Sequence, residues 1–187
     1  MSFDNWDIRK VAREGDWSLF LDRDGVINRR LVDDYVKSPD EFEFLPGVLE
    51  AIALFAQKFR HIFIITNQQG IGKGLMTEND LAEIHQKMQE EIEAAGGRID
   101  AIYYCPSLAS VNSPRRKPAP GMALQAKKDF PDVDFSKSVM AGDSVSDMEF
   151  ARNAGMHALF IGSGTQYPDA DDYYASLEAF AEALKNA

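Results

Sequence analysis

The stretch SLFLDRDGVIN, residues 18–28, joins a short apolar run to three consecutive charged residues, Asp22, Arg23 and Asp24. The apolar run is typical of a buried β-strand. Two carboxylates this close repel each other, and beside low-dielectric protein each raises the pKa of the other. A fold that places both at the end of a strand therefore needs a compensating charge, and a divalent cation is the usual one.

The length and composition indicate an ordinary globular chain. Its 187 residues are enough for one domain with a hydrophobic core, and its content of 45% hydrophobic and 27% charged residues indicates neither disorder nor a membrane span. The longest apolar runs, such as 62–65, are too short to cross a bilayer, and residues 1–10 lack the apolar core of a signal peptide. A single cysteine, Cys105, excludes an internal disulfide, so we expect a cytoplasmic protein.

The net charge argues against some classes of partner. At −10, with an isoelectric point near 4.7, the chain repels nucleic acid and anionic membranes. The one short basic cluster is formed by Arg115, Arg116 and Lys117. We therefore expect neither nucleic acid nor a membrane as partner, while a small anion can still be bound locally.

Short apolar runs alternate with segments of helical periodicity. Each run ends abruptly in polar or glycine-rich residues, and the five runs span 19–21, 62–65, 101–104, 139–140 and 158–161. The helical segment 77–97 opens with Thr77 and Asp80 in a capping-box pattern and stops at two glycines. This alternation predicts an α/β fold with a mostly parallel central sheet flanked by helices. Ligands of such sheets bind outside the carboxyl ends of the strands, where all the polar motifs gather.

The two ends of the chain differ from this alternating region. Residues 1–16 precede the first strand as an N-terminal extension, and residues 168–187 have the pattern of an acidic linker followed by an amphipathic helix. We expect residues 1–187 to form a single domain.

A second carboxylate cluster follows another predicted strand, in AGDSVSD. Asp143 and Asp147 are four residues apart, and a helix that starts between them turns Asp147 back towards Asp143. Each carboxylate cluster also has a purely structural explanation. A DG pair such as Asp24–Gly25 is a common turn, and an acid near a helix N-terminus stabilises the helix. Four carboxylates at strand ends nevertheless favour a hard cation with oxygen ligands, Mg²⁺ rather than zinc.

Two further motifs suit a phosphate group. In FIITNQQGIGKG, Thr66 and Asn67 precede a loop with three glycines, which offers a hydroxyl and free backbone amides, unless its role is only conformational. It matches neither the dinucleotide-binding nor the Walker pattern. In PRRKPAPGM, Lys117 lies between prolines and can offset phosphate charge, although a charge run is more often a solvated loop.

The motifs DRDGVIN, TNQQGIGKG, RRKPAPGM and GDSVSD, in this order from about Leu19 to Gly164, resemble the four signatures of the haloacid dehalogenase superfamily. The resemblance implies a Rossmann-like core and a Mg²⁺-dependent phosphatase that acts through a phosphoaspartate. It makes Asp22 the nucleophile and Asp24 the general acid and then base. Thr66 and Lys117 then bind and neutralise the transferring phosphoryl group.

The same resemblance implies a metal site and a substrate site. Asp22, the backbone carbonyl of Asp24 and Asp143 would ligate Mg²⁺, and Asp147 would support them without ligating. The residues that it places at the substrate are Asn28, Asn67, Lys73 and Arg116.

A narrower resemblance points to the branch of the superfamily with little or no cap domain, the heptose-bisphosphate and histidinol-phosphate phosphatases. The segment YVKSPDEFEFLPGVLEAI contributes to it, and neither 28–42 nor 74–116 has room for a cap domain. The expected substrate is a small phosphorylated metabolite, with heptose 1,7-bisphosphate as first choice and histidinol phosphate or another sugar phosphate as alternative. By the same resemblance we expect a monomer.

Two departures from that branch affect the substrate. Its members typically carry a zinc loop of three cysteines and a histidine, of which only Cys105 remains, so we predict no zinc. Ser144 stands where the heptose enzymes often have lysine. A phosphotransferase, a non-catalytic binding protein and a nucleic-acid 3′-phosphatase remain as less favoured functions. His85 is expected to be an ordinary polar position on a helix.

Overall fold

A six-stranded parallel β-sheet forms the centre of the computed structural model, which describes residues 6–163, 167 and 169–187. The strands are β1 (Ser18–Leu21), β2 (His61–Asn67), β3 (Ala101–Cys105), β4 (Ser138–Gly142), β5 (His157–Ile161) and β6 (Asp172–Tyr174). Their order across the sheet is β3-β2-β1-β4-β5-β6, and every adjacent pair is parallel. The α/β prediction is confirmed.

Strand β1 lies at the middle of the sheet and is buried on both faces. Leu19 pairs with Ile62 of β2 on one side and with Val139 of β4 on the other. Leu19 and Leu21 face one hydrophobic cluster, and Phe20 faces the opposite one. Burial on both faces explains why the strand is a continuous apolar run rather than an alternating pattern.

Helices cover both faces of the sheet. They are α1 (Ile8–Glu14), α2 (Val48–Lys58), α3 (Gln69–Gly72), α4 (Glu78–Ala94), α5 (Gly121–Asp129), α6 (Val145–Ala154) and α7 (Leu177–Lys185). Helices α1, α2 and α7 and the second half of α4 pack on the face of Leu19, and α5 and α6 pack on the face of Phe20. The capping box of Thr77 and Asp80 opens α4 as the sequence predicts.

The C-terminal region differs from its predicted linker. Residues 172–174 form the edge strand β6, in which Tyr173 pairs with Phe160 of β5. Only three residues pair, and backbone hydrogen bonds hold them in the sheet. The acidic sequence around them has no apolar pattern, so it does not predict a strand. The start of the predicted linker, Pro168, lies outside the described residues, and the predicted C-terminal helix is α7.

The N-terminal extension packs onto the sheet, although residues 1–5 lie outside the described part. Val11 of α1 is fully buried. The ring of Trp6 meets that of Trp17 edge-on at 6.0 Å, and the Trp6 indole donates a hydrogen bond to Asp172 of β6 at 3.0 Å. The extension thus holds β6, the last strand at this edge of the sheet.

Within the described ranges, none of the helices is both long enough and apolar enough to cross a bilayer.

Replacement of Phe180 tests the packing of α7. Its buried ring contacts those of Phe55, Phe59 and Tyr174, with centroids 5.0–6.4 Å apart. Phe180→Ala should lower the free energy of unfolding by about 3–5 kcal/mol in urea denaturation, because it leaves a cavity. The exposed Leu124 on α5 provides the control, and Leu124→Ala should change it by no more than about 0.5 kcal/mol. Equal effects of the two variants would contradict this packing.

Candidate active site

Three neighbouring strands deliver polar side chains to one edge of the sheet. Asp22 directly follows β1, Thr66 is the second-last residue of β2, and Asp143 directly follows β4. Because β2, β1 and β4 are adjacent and parallel, their carboxyl ends meet. The backbone N–H of Asp22 donates to the carbonyl of Ala141 at 3.0 Å, which holds the carboxyl end of β1 against β4.

Lys117 lies at the centre of this edge with its ammonium buried. Its Nζ donates to Asp22 Oδ1 at 2.8 Å, to Asp147 Oδ1 at 2.6 Å and to the backbone carbonyl of Ile65 at 2.9 Å. Burial by itself would lower the pKa of Lys117, but the carboxylates of Asp147 and Asp22 outweigh burial and raise it. Lys117 is therefore a permanent positive charge between two acids.

The side chain of Asn67 fastens the loop that carries Lys117. Its Nδ2 donates to the Lys117 carbonyl at 3.2 Å, and its Oδ1 accepts from the Lys117 backbone N–H at 3.1 Å. Both ends of the amide are thereby used by the protein. Asn67 was expected at the phosphoryl group, and in the structure its side chain positions the lysine.

Asp147 is completely buried at the start of α6. Its Oδ2 accepts from the backbone N–H of Ser144 at 3.1 Å and from the Ser144 hydroxyl at 2.6 Å, while Oδ1 is held by Lys117. This is the capping box of α6. Since both oxygens have protein donors, Asp147 orients Lys117 and contributes negative charge.

The carboxylates of Asp22, Asp143 and Asp147 form one cluster, with an oxygen of each within 4.8 Å of the others. Burial, followed by the charge of Asp147, raises the pKa of Asp22 to about 7 despite Lys117. Burial likewise raises the pKa of Asp143 to about 6, against the opposing charge of Arg30. The cluster therefore has more negative charge than one lysine neutralises.

The donor set fits a hard divalent cation. The ligands are oxygens only, and the side chain of Asp143 is 17% exposed, whereas that of Asp147 is fully buried. Gly25 makes room for Asp143, because a Cβ there would lie 2.1 Å from Asp143 Oδ2, at a backbone φ of +95°. The half-exposed guanidinium of Arg30 lies beside the cluster, 3.0 Å from Asp143 and 4.0 Å from Asp22.

Asp24 lies apart from the cluster and is surrounded by donors. Its carboxylate accepts from Arg23 Nη2 at 2.9 and 3.0 Å, from Asn28 Nδ2 at 3.0 Å and from Gln68 Nε2 at 2.9 Å. Burial would raise the pKa of Asp24, but the Arg23 charge and these hydrogen bonds outweigh it and lower the pKa. Asn28, expected at the substrate, thus holds Asp24.

Two residues expected at the substrate lie outside the pocket of Asp22. Lys73 is exposed at the end of α3, with its Nζ 5.2 Å from the centre of the Tyr35 ring. Arg116 donates through Nη1 to the carbonyl of Ser107 at 3.2 Å and lines a separate open cleft. Neither has a hydrogen bond to the carboxylate cluster in the structure.

Sequence reasoning missed the groups that surround Asp24. Arg23 is fully buried, and its Nη1 lies 3.1 Å from Nε2 of the buried His85. The expectation that His85 is an ordinary polar helix position is therefore incomplete. A signal existed in the spacing, because residues 81, 84, 85 and 88 share the apolar face of α4. Arg30 and Gln68 carried no comparable signal.

Comparisons with known proteins agree with this geometry. A family model described as HAD-hydrolase-like matches residues 114–187. The D-glycero-alpha-D-manno-heptose-1,7-bisphosphate 7-phosphatase of Mycobacterium bovis is 40% identical over 176 residues, which cover 91% of this chain and 93% of that protein. The corresponding beta-named enzyme of Rhodopseudomonas palustris is 40% identical over 146 residues, 74% of this chain and 79% of its own.

Among solved structures, the chain resembles the D,D-heptose 1,7-bisphosphate phosphatase of Bordetella bronchiseptica in complex with magnesium and phosphate. The TM-score is 0.84 at 35% identity, and the match covers 91% of this chain and 98% of the other. The chain therefore belongs to the haloacid dehalogenase-like hydrolases, and within them to the branch formed by these phosphatases. Phosphatases of this family use Mg²⁺.

Binding of Mg²⁺ should stabilise the chain, because the cation relieves repulsion within the carboxylate cluster. At a concentration about 100-fold above Kd, the gain is about 2.7 kcal/mol, or a rise in Tm of roughly 5–10 °C for a chain of this size. Thermal unfolding after EDTA treatment, with and without added Mg²⁺, measures it. Asp143→Asn should lose most of the shift, and an undiminished shift in this variant would exclude Asp143 as a ligand.

Removal of the buried ammonium should destabilise the fold. Lys117→Met leaves Asp22 and Asp147 without their shared donor, which should cost about 3–5 kcal/mol in urea unfolding. The exposed Lys128 on α5 serves as control, and Lys128→Met should be nearly neutral. A Lys117→Met chain as stable as the wild type would mean that the ammonium is not held as described.

Proposed function

We propose that this protein hydrolyses the 7-phosphate of a heptose 1,7-bisphosphate, with Mg²⁺ as cofactor and Asp22 as nucleophile. The observation that carries the proposal is the buried Lys117 ammonium, which is shared by Asp22 and Asp147 beside the accessible carboxylate of Asp143. This arrangement suits transfer of a phosphoryl group, whose negative charge needs fixed cations around it. The names and the 40% identity of the relatives support the choice of substrate.

The position of Asp22 suits nucleophilic attack. Its Oδ1 accepts from Lys117 and from the backbone N–H of Arg23, at 2.8 Å in both cases, which fixes the carboxylate. One carboxylate oxygen attacks phosphorus, the bond to the sugar oxygen breaks, and an aspartyl phosphate forms. Water then attacks phosphorus, which releases phosphate and restores the Asp22 carboxylate. The Thr66 hydroxyl accepts from Gln68 Nε2 at 2.8 Å and offers its own proton to a phosphoryl oxygen, while Asn67 acts through the lysine that it holds.

Asp24 supplies the proton transfers of both steps. It is ionised in the resting structure, since donors surround it and its pKa is lowered. The dianionic phosphate of an arriving substrate opposes this by raising the pKa, so Asp24 takes up a proton and gives it to the departing sugar oxygen. The resulting carboxylate then accepts a proton from the attacking water.

Asp22, Asp143 and the backbone carbonyl of Asp24 would hold the cation. When bound, Mg²⁺ neutralises the nucleophile and the phosphoryl oxygens so that the two anions can approach each other. The loop 106–116 contains neither cysteine nor histidine, so we propose that the protein functions without a structural zinc.

Two adjoining depressions suit a phosphorylated sugar. A small one of about 80 Å³ is lined by Asp22, Thr66, Lys117, Ser144 and neighbouring residues, which suits the phosphoryl group. The adjacent cleft of about 230 Å³ combines polar side chains, among them Asp34 and Gln68, with the apolar Leu31 and Tyr35. Such a lining suits sugar hydroxyls and carbon faces. We assign the 1-phosphate of the substrate, which is the one that does not react with Asp22, to the cations Lys73 and Arg116.

Histidinol phosphate is the second candidate, favoured by one feature of the cleft. The half-exposed carboxylate of Asp34 lines it, and although this carboxylate accepts from Lys37 Nζ at 2.7 Å, a ligand ammonium can share it. The relatives include alpha-named and beta-named heptose enzymes at the same 40% identity, so the anomer is a separate question for experiment.

Phosphate release with Mg²⁺ tests the proposal directly. The panel contains both anomers of heptose 1,7-bisphosphate, histidinol phosphate and several sugar monophosphates, compared by kcat/KM. One heptose anomer should be preferred, and Asp22→Asn should reduce turnover by roughly 10⁴-fold or more because it lacks the nucleophile. The control is Asp132→Asn, since Asp132 is exposed beside His61 at the start of β2, the opposite edge of the sheet. Normal turnover by Asp22→Asn would refute the mechanism. A preference for histidinol phosphate would make histidinol phosphate the assigned substrate in place of heptose 1,7-bisphosphate.

A further inference from the structure

We infer that His85 and Arg23 form a buried positioning pair that fixes the carboxylate of Asp24 in the orientation for proton transfer. The inference rests on the proposed function, because it explains how the acid of that reaction is held. Neither residue reaches the phosphoryl pocket. Their effect is therefore exerted through Asp24.

The contacts form a continuous chain from α4 to Asp24. His85 projects from the buried face of α4, and its Nε2 lies 3.1 Å from Arg23 Nη1. The other terminal nitrogen of Arg23, Nη2, donates to both oxygens of Asp24 at 2.9 and 3.0 Å. Arg23 is 0% exposed, so water does not compete for its guanidinium.

The chemistry of the two side chains fixes the direction of each bond. A guanidinium only donates, so Nε2 of His85 accepts, and the imidazole is neutral with its proton on Nδ1. Burial and the charge of Arg23 lower the pKa of His85 to about 3, which agrees with this neutral form. His85 thus serves as a neutral acceptor.

A neutral acceptor at this position selects one orientation of the guanidinium. The donors of arginine form a rigid planar fork, so fixing Nη1 on His85 also fixes Nη2 on Asp24. Burial of an arginine is costly unless its donors find acceptors. Nε of Arg23 has none among the described residues, so the bonds of Nη1 and Nη2 offset the cost, and an orientation that loses them is disfavoured. Without the imidazole, the guanidinium loses one of its two anchors, and the Asp24 carboxylate can turn with it.

The consequence should depend on the leaving group. During formation of the aspartyl phosphate, the Asp22–phosphorus bond forms, the bond to the leaving oxygen breaks, and the Asp24 proton moves to that oxygen. A sugar alkoxide needs this proton, whereas p-nitrophenolate leaves as a stable anion without it. A misplaced Asp24 therefore slows the alkyl ester more than the aryl ester, while a merely structural loss lowers both equally.

The test compares His85→Leu with His85→Gln by kcat/KM, which covers all steps up to the aspartyl phosphate. The two substrates are the alkyl phosphate that the wild type hydrolyses fastest and p-nitrophenyl phosphate. We expect His85→Leu to lose about 10²-fold on the alkyl ester and less than about threefold on the aryl ester. His85→Gln retains a side-chain acceptor and should recover most of the alkyl activity.

Equal losses on both substrates, or no recovery with glutamine, would overturn the inference. Arg23→Lys keeps the charge and removes the fork, so it should show the same selective loss, and it decides the question if His85→Leu does not fold. A wild-type chain that hydrolyses neither substrate would instead refute the proposed function. The two failures are thus distinguishable.

Discussion

The whole site depends on one buried ammonium group. Lys117 donates to Asp22, to Asp147 and to the Ile65 carbonyl of β2, so three separate parts of the chain meet at a single nitrogen. Burial of this many charges is tolerated only because each has partners at hydrogen-bond distance. Of the three acids, Asp143 is the most exposed, and it faces the half-exposed Arg30 on the side where a cation and a phosphate can approach. Electrostatic balance inside the fold therefore determines where the chemistry can take place.

Two carboxylates only one residue apart have opposite electrostatic environments. Asp22 has a raised pKa because burial and the charge of Asp147 act on it, whereas Asp24 has a lowered pKa because Arg23, Asn28 and Gln68 donate to it. Pairs of acids that are separated in this way can take different roles in one reaction. Here the side chain between them in sequence, Arg23, is buried beneath Asp24 and makes the difference. The DRD stretch thus contains both acids and the group that distinguishes them.

Much of the fold and of the site follows from local sequence, and the remainder depends on contacts across the chain. Apolar runs that end in polar motifs predict the parallel sheet and the edge where Asp22, Thr66 and Asp143 meet. Strand β6 could not be predicted, because three residues held by backbone bonds leave no periodic pattern. The link between Arg23 and His85 spans 62 positions, and only the folded chain shows it. Asn28 and Asn67 illustrate a further limit, since their amides bond the protein itself.

The short edge strand β6 also affects how copies of this protein behave at high concentration. An exposed sheet edge offers unpaired backbone groups to which another chain can add a strand, and this is a common start of aggregation. Only three residues of β6 pair, Asp172 at its start is charged, and the indole of Trp6 bonds that same carboxylate. At the other edge, the guanidinium of Arg115 donates a hydrogen bond to the backbone carbonyl of Tyr104 in β3. Both edges of the sheet therefore carry a feature that opposes the addition of a strand from a second molecule.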